Sequence, residues 1–190
     1  AQFNSYKKFI NQAINKKLNT ASLKNFKKEA NIEKEGAINK TIKGGDIILT
    51  QISKEPISTK GPRLTSEISL AGRYMVLLPF SDKVSISQKI NKSDEQIRLK
   101  KLIRSIKPAG FGVIIRTVAM GKKVAELDRD LKNLYKKWQG ISKKLKNAKP
   151  GNRIHGELNK ASTILRDLLN ERFNSIYVNN VDLQLELQEY

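Results

Sequence analysis

The sequence predicts an α+β fold, and three observations carry that prediction. Between residues 46 and 90, short Ile- and Leu-rich stretches are cut by Gly, Pro and Ser clusters, the pattern of strands and turns. Two later stretches, 93–106 and 122–148, repeat apolar residues three and four apart, as amphipathic helices do. Between them "GVIIRT", residues 112–117, is a compact apolar run that ends in a cation and a hydroxyl. Strands and helices in separate blocks, without a strict β-α alternation, argue for α+β or for two small modules joined near residue 72.

Residues 1–45 are polar and basic, with ten Lys against three Glu. Phe3, Tyr6, Phe9, Ile10, Ala13, Ile14 and Leu18 recur at helical spacing, so a helix is expected from near Asn4 or Ser5. Residues 22–45 read as a short helix and then a solvated linker or insertion, punctuated by Gly44 and Gly45. "DIILTQISKE" (46–55) alternates as a strand does, and "PISTKGPR" (56–63) has loop composition. In "LTSEISLAG", Leu64, Ser66, Ile68 and Leu70 fall on one face of a strand. "RYMVLLPF" is a further strand and "KVSISQKI" a short strand or hairpin arm.

Residues 93–106 form a helix with Ser93 as N-cap, acids in the first turn and bases in the last. Ile97, Leu99, Leu102, Ile103 and Ile106 are expected to face inward. Val113, Ile114 and Ile115 read as a strand buried on both faces. The longest helix, 122–148, carries Val124, Leu127, Leu131, Leu134, Tyr135, Trp138, Ile141 and Leu145 as its apolar stripe, with Gly140 a weak point. After "AKPGNR", "IHGEL" is a strand or turn and "NKASTILRDLLNERF" a helix. "SIYVNN" reads as a strand, and "VDLQLELQEY" as a helix or strand.

Composition narrows the function classes. The 37 Lys and Arg against 18 Asp and Glu give a net charge of +19, which points to a polyanion, either nucleic acid or an anionic membrane. A merely soluble Lys-rich surface is the plain alternative. There is no Cys, which excludes disulfides, thiolate zinc sites and cysteine nucleophiles within the chain. No stretch approaches the ~20 apolar residues of a membrane span. No signal peptide opens the chain, so a cytoplasmic protein is expected.

Catalysis finds little support. His155 is the sole histidine, so no Ser-His-Asp arrangement is assembled from this sequence. Glu126 and Asp130, four apart on a basic helix, read as local salt-bridge partners rather than metal ligands. No glycine-rich phosphate loop follows a strand. Binding remains, and a phosphate needs converging donors and a cation. Lys60 and Arg63 in "KGPR" lie on a flexible loop, and Gly72 in "SLAGRY" lets backbone approach a ligand. Arg116 can grip a phosphate bidentately beside the Thr117 hydroxyl. On residue physics alone Arg116 reads equally as a strand-end ion pair, and Gly72 as a bulge.

"KEPISTKGPRLTSEISLAGRYMVLLP", then "IIRTVAMGK", then "RIHGELN" and "IYVNN" resemble the ribonuclease E/G family, in that order, over residues 46–180. Residues 1–45 do not share the resemblance and look like an insertion into that family's RNA-binding barrel. The resemblance implies a partial OB-type β-barrel followed by a mixed α/β 5′-sensor subdomain. On that frame residues 1–45 are a basic helical insertion or linker, and 46–70 are the closing barrel strands. Residues 71–150 are the 5′ sensor, and 151–190 start a ribonuclease-H-like module.

The family consists of single-strand-specific endoribonucleases of RNA processing and decay. The resemblance implies that Arg116 and Thr117 bind a 5′-terminal monophosphate, and that Gly72 and Val76 line the first nucleotide. It assigns RNA contact to Lys60, with Arg63 beside it. The partner implied is single-stranded RNA with a 5′-monophosphate, with a homo-oligomer of the full-length protein left open. The family's magnesium-holding aspartates and zinc-link cysteines fall beyond residue 190. This chain is therefore expected to sense and bind RNA without cutting it, and to hold no cofactor itself. A generic basic RNA-binding module, with affinity from Lys alone, is the competing reading. A complete small nuclease would need a carboxylate pair that the sequence does not supply.

Overall fold

Two stretches of alternating side chains set up the main sheet. The elements follow along the chain as α1 (Phe3–Ile14), β1 (Gln51–Lys54), β2 (Arg63–Thr65), β3 (Leu70–Ala71), β4 (Met75–Pro79), β5 (Val84–Ile86), α2 (Ser93–Ile106), β6 (Phe111–Ile115) and α3 (Val124–Leu145). Two further helices follow, α4 (Lys160–Leu168) and α5 (Val181–Gln188). The structure, a computed structural model, describes residues 2–18, 20–32, 37–156, 160–169 and 172–188. The chain divides into two units, Ala1–Ile154 and His155–Tyr190. The architecture is α+β.

β3, β4, β6 and β5 form a four-stranded sheet in that order. All neighbours are antiparallel except β5 and β6, which run parallel. Along β4, Met75, Leu77 and Pro79 point to one face and are buried; along β6, Phe111, Val113 and Ile115 do the same. The opposite face is not closed over by the described residues. Val76 and Leu78 are half-buried there, and Ile114 is 38% exposed. The apolar run of β6, expected to be buried on both faces, is thus buried on one.

The core under the sheet gathers around Trp138 of α3, which is fully buried. Its ring lies 5.2 Å from Phe9, 5.9 Å from Phe80 and 6.0 Å from Phe111, centroid to centroid. Its indole N–H donates to the Ala21 carbonyl at 2.9 Å. Phe9 lies on α1, so the basic N-terminal segment contributes to the core. Leu23, in the stretch expected to be solvated, is buried too.

β1 and β2 make a separate antiparallel pair, with Ile52 opposite Leu64 and a register shift before Lys54 meets Arg63. No closed barrel is formed among the described residues. The alternation expected through "LTSEISLAG" is broken by a bend at Ser66–Glu67, so Leu64 is 55% exposed while Ile68 and Leu70 are buried. In α2, Ser93 is the first helical residue; Lys92 precedes it, and no side chain caps the helix. Ile97 is exposed, because Leu99 and Ile103 alone define the fully buried line of α2. α3 runs through Gly140 without a break.

In the second unit, α4 and α5 form as helices. "SIYVNN" forms no strand, and its Tyr177 is almost fully exposed. A strand needs a neighbour to hydrogen-bond, and no pairing reaches this segment among the described residues. Part of "IHGEL" lies outside the described residues; residues 154–156 are irregular.

Candidate functional site

The sheet delivers its donors where β6 ends. Arg116 keeps the extended backbone of the strand, at φ −84° and ψ 159°, and a single 3-10 turn, Thr117–Ala119, follows. The Arg116 N–H donates to the Tyr74 carbonyl at 2.8 Å, so the residue stays zipped to the neighbouring chain. Its Nη1 donates to the Gly72 carbonyl, also at 2.8 Å. The guanidinium is therefore aimed by backbone. Strand alternation puts Arg116 on the same side as Ile114, the open face of the sheet.

Gly72 sits in the β3–β4 turn, which its N–H closes onto the Met75 carbonyl at 2.8 Å. Asp130 of α3 holds this turn from beneath. Its carboxylate accepts from Tyr74 N–H at 2.8 Å, Arg73 N–H at 3.2 Å and Met75 N–H at 3.3 Å. A Cβ on residue 72 would lie 2.7 Å from both carboxylate oxygens, so glycine is required for this approach. Gly72 is thus neither a bulge nor merely small: it makes room for the carboxylate.

Glu126, one turn earlier on α3, accepts from the Tyr74 hydroxyl at 3.3 Å. The Lys123 N–H, together with the charge of Lys122, holds the Glu126 carboxyl below the usual carboxylate range. Lys122 lies 3.5 Å from Glu126, the local ion pair that the sequence spacing suggests. Asp130, by contrast, spends its carboxylate on a distant turn.

Thr117 Oγ1 lies 2.9 Å from Ser87 Oγ. Ser87 directly follows β5 and is tied to β6 by its N–H, which donates to the Ile115 carbonyl at 2.9 Å. Val76 stands directly opposite Ile114 on one side and Ala71 on the other, and Ser85 is opposite Ile114 from β5. An apolar strip, Ala71, Val76 and Ile114, therefore crosses the open face beside Arg116, Thr117 and Ser87.

Of the residues expected from sequence, Gly72, Val76, Arg116 and Thr117 come together at this end of the sheet. Lys60 and Arg63 lie elsewhere, exposed on the β1–β2 hairpin. Lys60 and Ile57 exchange backbone hydrogen bonds at 3.0 and 3.1 Å, which closes the loop that carries the lysine. Two residues were missed. Ser87 had a signal: "SIS" puts Ser85 and Ser87 on one face of a strand. Asp130 had none, since its partners lie more than 50 residues away in sequence.

Chemically, the cluster offers a guanidinium and hydroxyls, a donor set suited to an oxyanion. His155 is exposed. Among the described residues no group of three or more His, Asp or Glu is placed to hold a metal ion. None of the described helices is long and apolar enough to cross a membrane.

Comparison with known proteins gives a consistent picture. A family model described as "Ribonuclease E/G family" matches residues 69–190. The chain is 38% identical over 133 residues to a ribonuclease E of Nostoc sp., covering 70% of this chain and 19% of that protein. It is 35% identical over 143 residues to a ribonuclease E of Synechocystis sp., covering 75% of this chain and 21% of that one. It is 34% identical over 143 residues to ribonuclease G of Escherichia coli, covering 75% of this chain and 29% of the enzyme. The matched stretch is thus less than a third of the length of each of these relatives.

Proposed function

The chain belongs to the ribonuclease E/G family, and from that premise we propose that it binds single-stranded RNA and reads a 5′-monophosphate at the open end of its main sheet. The observation that supports this most is the convergence of Arg116, Thr117 and Ser87 beside an apolar strip. A terminal monophosphate carries about −1.5 to −2 charge at pH 7 and only accepts hydrogen bonds. Arg116 supplies the opposite charge and Thr117 a hydroxyl donor. Val76 and Ile114 give the first nucleotide an apolar surface, and the Gly72 turn lets it approach the backbone. A 5′-hydroxyl end forgoes the charged contacts, and a triphosphate is excluded by bulk.

In the same reading, residues 46–70 are the closing strands of an OB-type barrel, and Lys60 and Arg63 on them follow the RNA backbone. Residues 71–150 are the 5′ sensor, residues 151–190 begin a ribonuclease-H-like module, and residues 1–45 are an insertion. The full-length protein is an endoribonuclease of RNA processing and decay, and its magnesium chemistry is supplied outside this chain. The role of this chain is recognition.

The net charge of +19 favours one other reading, a basic RNA surface that ignores the end group. Such binding weakens steeply with salt and is the same for either RNA end. Fluorescence anisotropy with two RNAs of about ten nucleotides, a length within the usual single-strand site size, separates the two. The RNAs are identical except for a 5′-monophosphate or a 5′-hydroxyl. Tighter binding of the phosphorylated RNA, lost in Arg116→Ala, supports end sensing. Equal binding of both RNAs by the unmodified chain refutes it.

A further inference from the structure

Thr117 can serve a phosphate only if its hydroxyl proton points toward the ligand. A hydroxyl is donor and acceptor alike, and its rotor turns to suit its neighbours. Thr117 Oγ1 has such a neighbour in Ser87 Oγ, 2.9 Å away, and either atom can be the donor of that pair. Were Thr117 to donate to Ser87, it would show the phosphate only lone pairs, and the contact would be repulsive. Were Ser87 to donate to Thr117, the Thr117 proton would be directed outward.

A third group sets the direction. The Lys89 N–H lies 3.4 Å from Ser87 Oγ and donates to it. An oxygen that accepts from an amide on one side turns its own proton away from that side. Among the described residues Thr117 Oγ1 is an acceptor within reach of Ser87. The chain of donation then runs from the Lys89 amide to Ser87, from Ser87 to Thr117, and from Thr117 to whatever lies beyond. Hydrogen bonds that run in one sense polarise each other, so the last donor is strengthened.

The backbone holds this chain in place. Ser87 is fixed by its N–H to the Ile115 carbonyl at 2.9 Å, one strand away from Arg116. Its own carbonyl accepts from Ile90 N–H at 3.1 Å, and Ile90 is fully buried, which anchors the "SQKI" turn.

We propose that Ser87 is a positioning residue for the terminal phosphate: it accepts from the Lys89 amide, donates to Thr117, and so keeps the Thr117 hydroxyl a donor toward the ligand. The proposal rests on the phosphate reading of Arg116 and Thr117.

The test uses the same pair of RNAs and the 190-residue chain, with Ser87→Ala, Ser87→Thr, Thr117→Val, the double variant Ser87→Ala/Thr117→Val, and Arg116→Ala as control. Ser87→Ala is expected to reduce the preference for the phosphorylated RNA by about three- to tenfold, the range for one weakened hydrogen bond to a charged group. Affinity for the 5′-hydroxyl RNA, which lacks the phosphate, is expected to change by less. Ser87→Thr, which keeps the hydroxyl, retains the preference. The double variant is no worse than Thr117→Val, because the two hydroxyls act as one unit.

An unchanged preference in Ser87→Ala overturns the proposal. So does a double variant that loses the sum of the two single losses, or a Ser87→Ala chain that weakens equally toward both RNAs. Should the alanine variant fail to fold, Ser87→Cys keeps the shape but donates weakly, and it is expected to lose preference as alanine would; a preserved preference overturns the proposal. A preference present in the unmodified chain and lost in Arg116→Ala, with Ser87 variants inert, refutes this inference alone. No preference in the unmodified chain refutes the phosphate reading and the inference with it.

Discussion

Gly72→Ala is the sharpest probe of how the β3–β4 turn is built. The three atoms nearest to a Cβ on residue 72 all belong to Asp130: two carboxylate oxygens at 2.7 Å and Cγ at 3.0 Å. Gly72 is not in the left-handed region, so the backbone itself tolerates alanine and the cost is steric. Asp130 cannot retreat freely, because it accepts the Tyr74 N–H at 2.8 Å. Giving up that charge-assisted bond costs about 1.5–3 kcal/mol, with the two longer bonds adding less. Gly72→Ala should therefore cost about 2 kcal/mol, and Asp130→Ala about the same, since both end with the turn uncapped. In the Asp130→Ala background the obstructing atoms are gone, and the added methyl reduces unfolded-state entropy, worth about 0.4–1 kcal/mol. The double variant should then be no less stable than Asp130→Ala alone, a coupling of about 2 kcal/mol. Urea unfolding read by Trp138 fluorescence measures this, because the sole tryptophan is buried in the Ala1–Ile154 unit. At a slope of about 2 kcal/mol per molar urea, each single variant lowers the midpoint by about 1 M. Additive losses in the double variant would refute the claim that the carboxylate is what the methyl meets.

Two further outcomes test the frame around the site. Glu95 accepts from Arg98 Nε at 2.7 Å and from the Gly121 N–H at 2.8 Å, in the loop that follows the Thr117–Ala119 turn. The Arg98 guanidinium, and after it the Gly121 N–H, pull the Glu95 carboxyl down to about 2. A carboxyl depressed on folding stabilises above its unfolded value of about 4.3 and loses that contribution as pH falls through its folded value. Glu95→Gln should lower the melting temperature modestly at pH 7, and the difference should vanish as pH falls from about 4.5 to about 2; a gap that is constant over that range would refute the ion pair. Gly110→Ala places a Cβ 2.5 Å from Leu23 Cβ, at a φ of +82°. Strain and overpacking together should cost about 3 kcal/mol in the same urea assay, and an unchanged midpoint would mean that Leu23 is not seated there.

What the sequence revealed and what it hid divide along a physical line. The stripe of α3 was legible because helix periodicity is local: Leu127, Leu131, Leu134, Trp138, Ile141 and Leu145 are all buried. The end of β6 before Arg116 and Thr117 was legible because the apolar run stops at Ile115. The open face of β6 was not, because "VII" is apolar on both sides whether or not a second layer covers it, and among the described residues Ile114 is left 38% exposed. Asp130 was hidden for a related reason. A carboxylate at helical spacing from another looks like a surface pair, and only the fold brings it under a turn from another part of the chain. The missing strand at 175–180 marks the same limit: β propensity states what a segment could pair, and pairing needs a neighbour.

The N-terminal segment extends that argument to energy. Residues 1–45 look like an insertion by resemblance, which concerns ancestry; packing is a separate question. Tyr6, Phe9, Ile10, Leu18 and Leu23 are each at most 8% exposed. Tyr6 donates from its hydroxyl to the Ile68 carbonyl at 3.1 Å, and Phe9 lies between Phe26, Phe80 and Trp138. At about 1.5–3 kcal/mol for each large side chain, these five alone supply on the order of 10 kcal/mol, an upper estimate. That is comparable to the whole net stability of a domain, about 5–15 kcal/mol. Removing residues 1–32 should therefore leave Trp138 solvated and abolish cooperative unfolding of the first unit, although residues 69–190 carry the family match. A truncated chain with an unshifted Trp138 emission maximum and the original urea midpoint would sink this reasoning. Recovery of the buried emission on adding the 1–32 peptide would place the defect in the core, because a peptide can restore packing only where its side chains are missing.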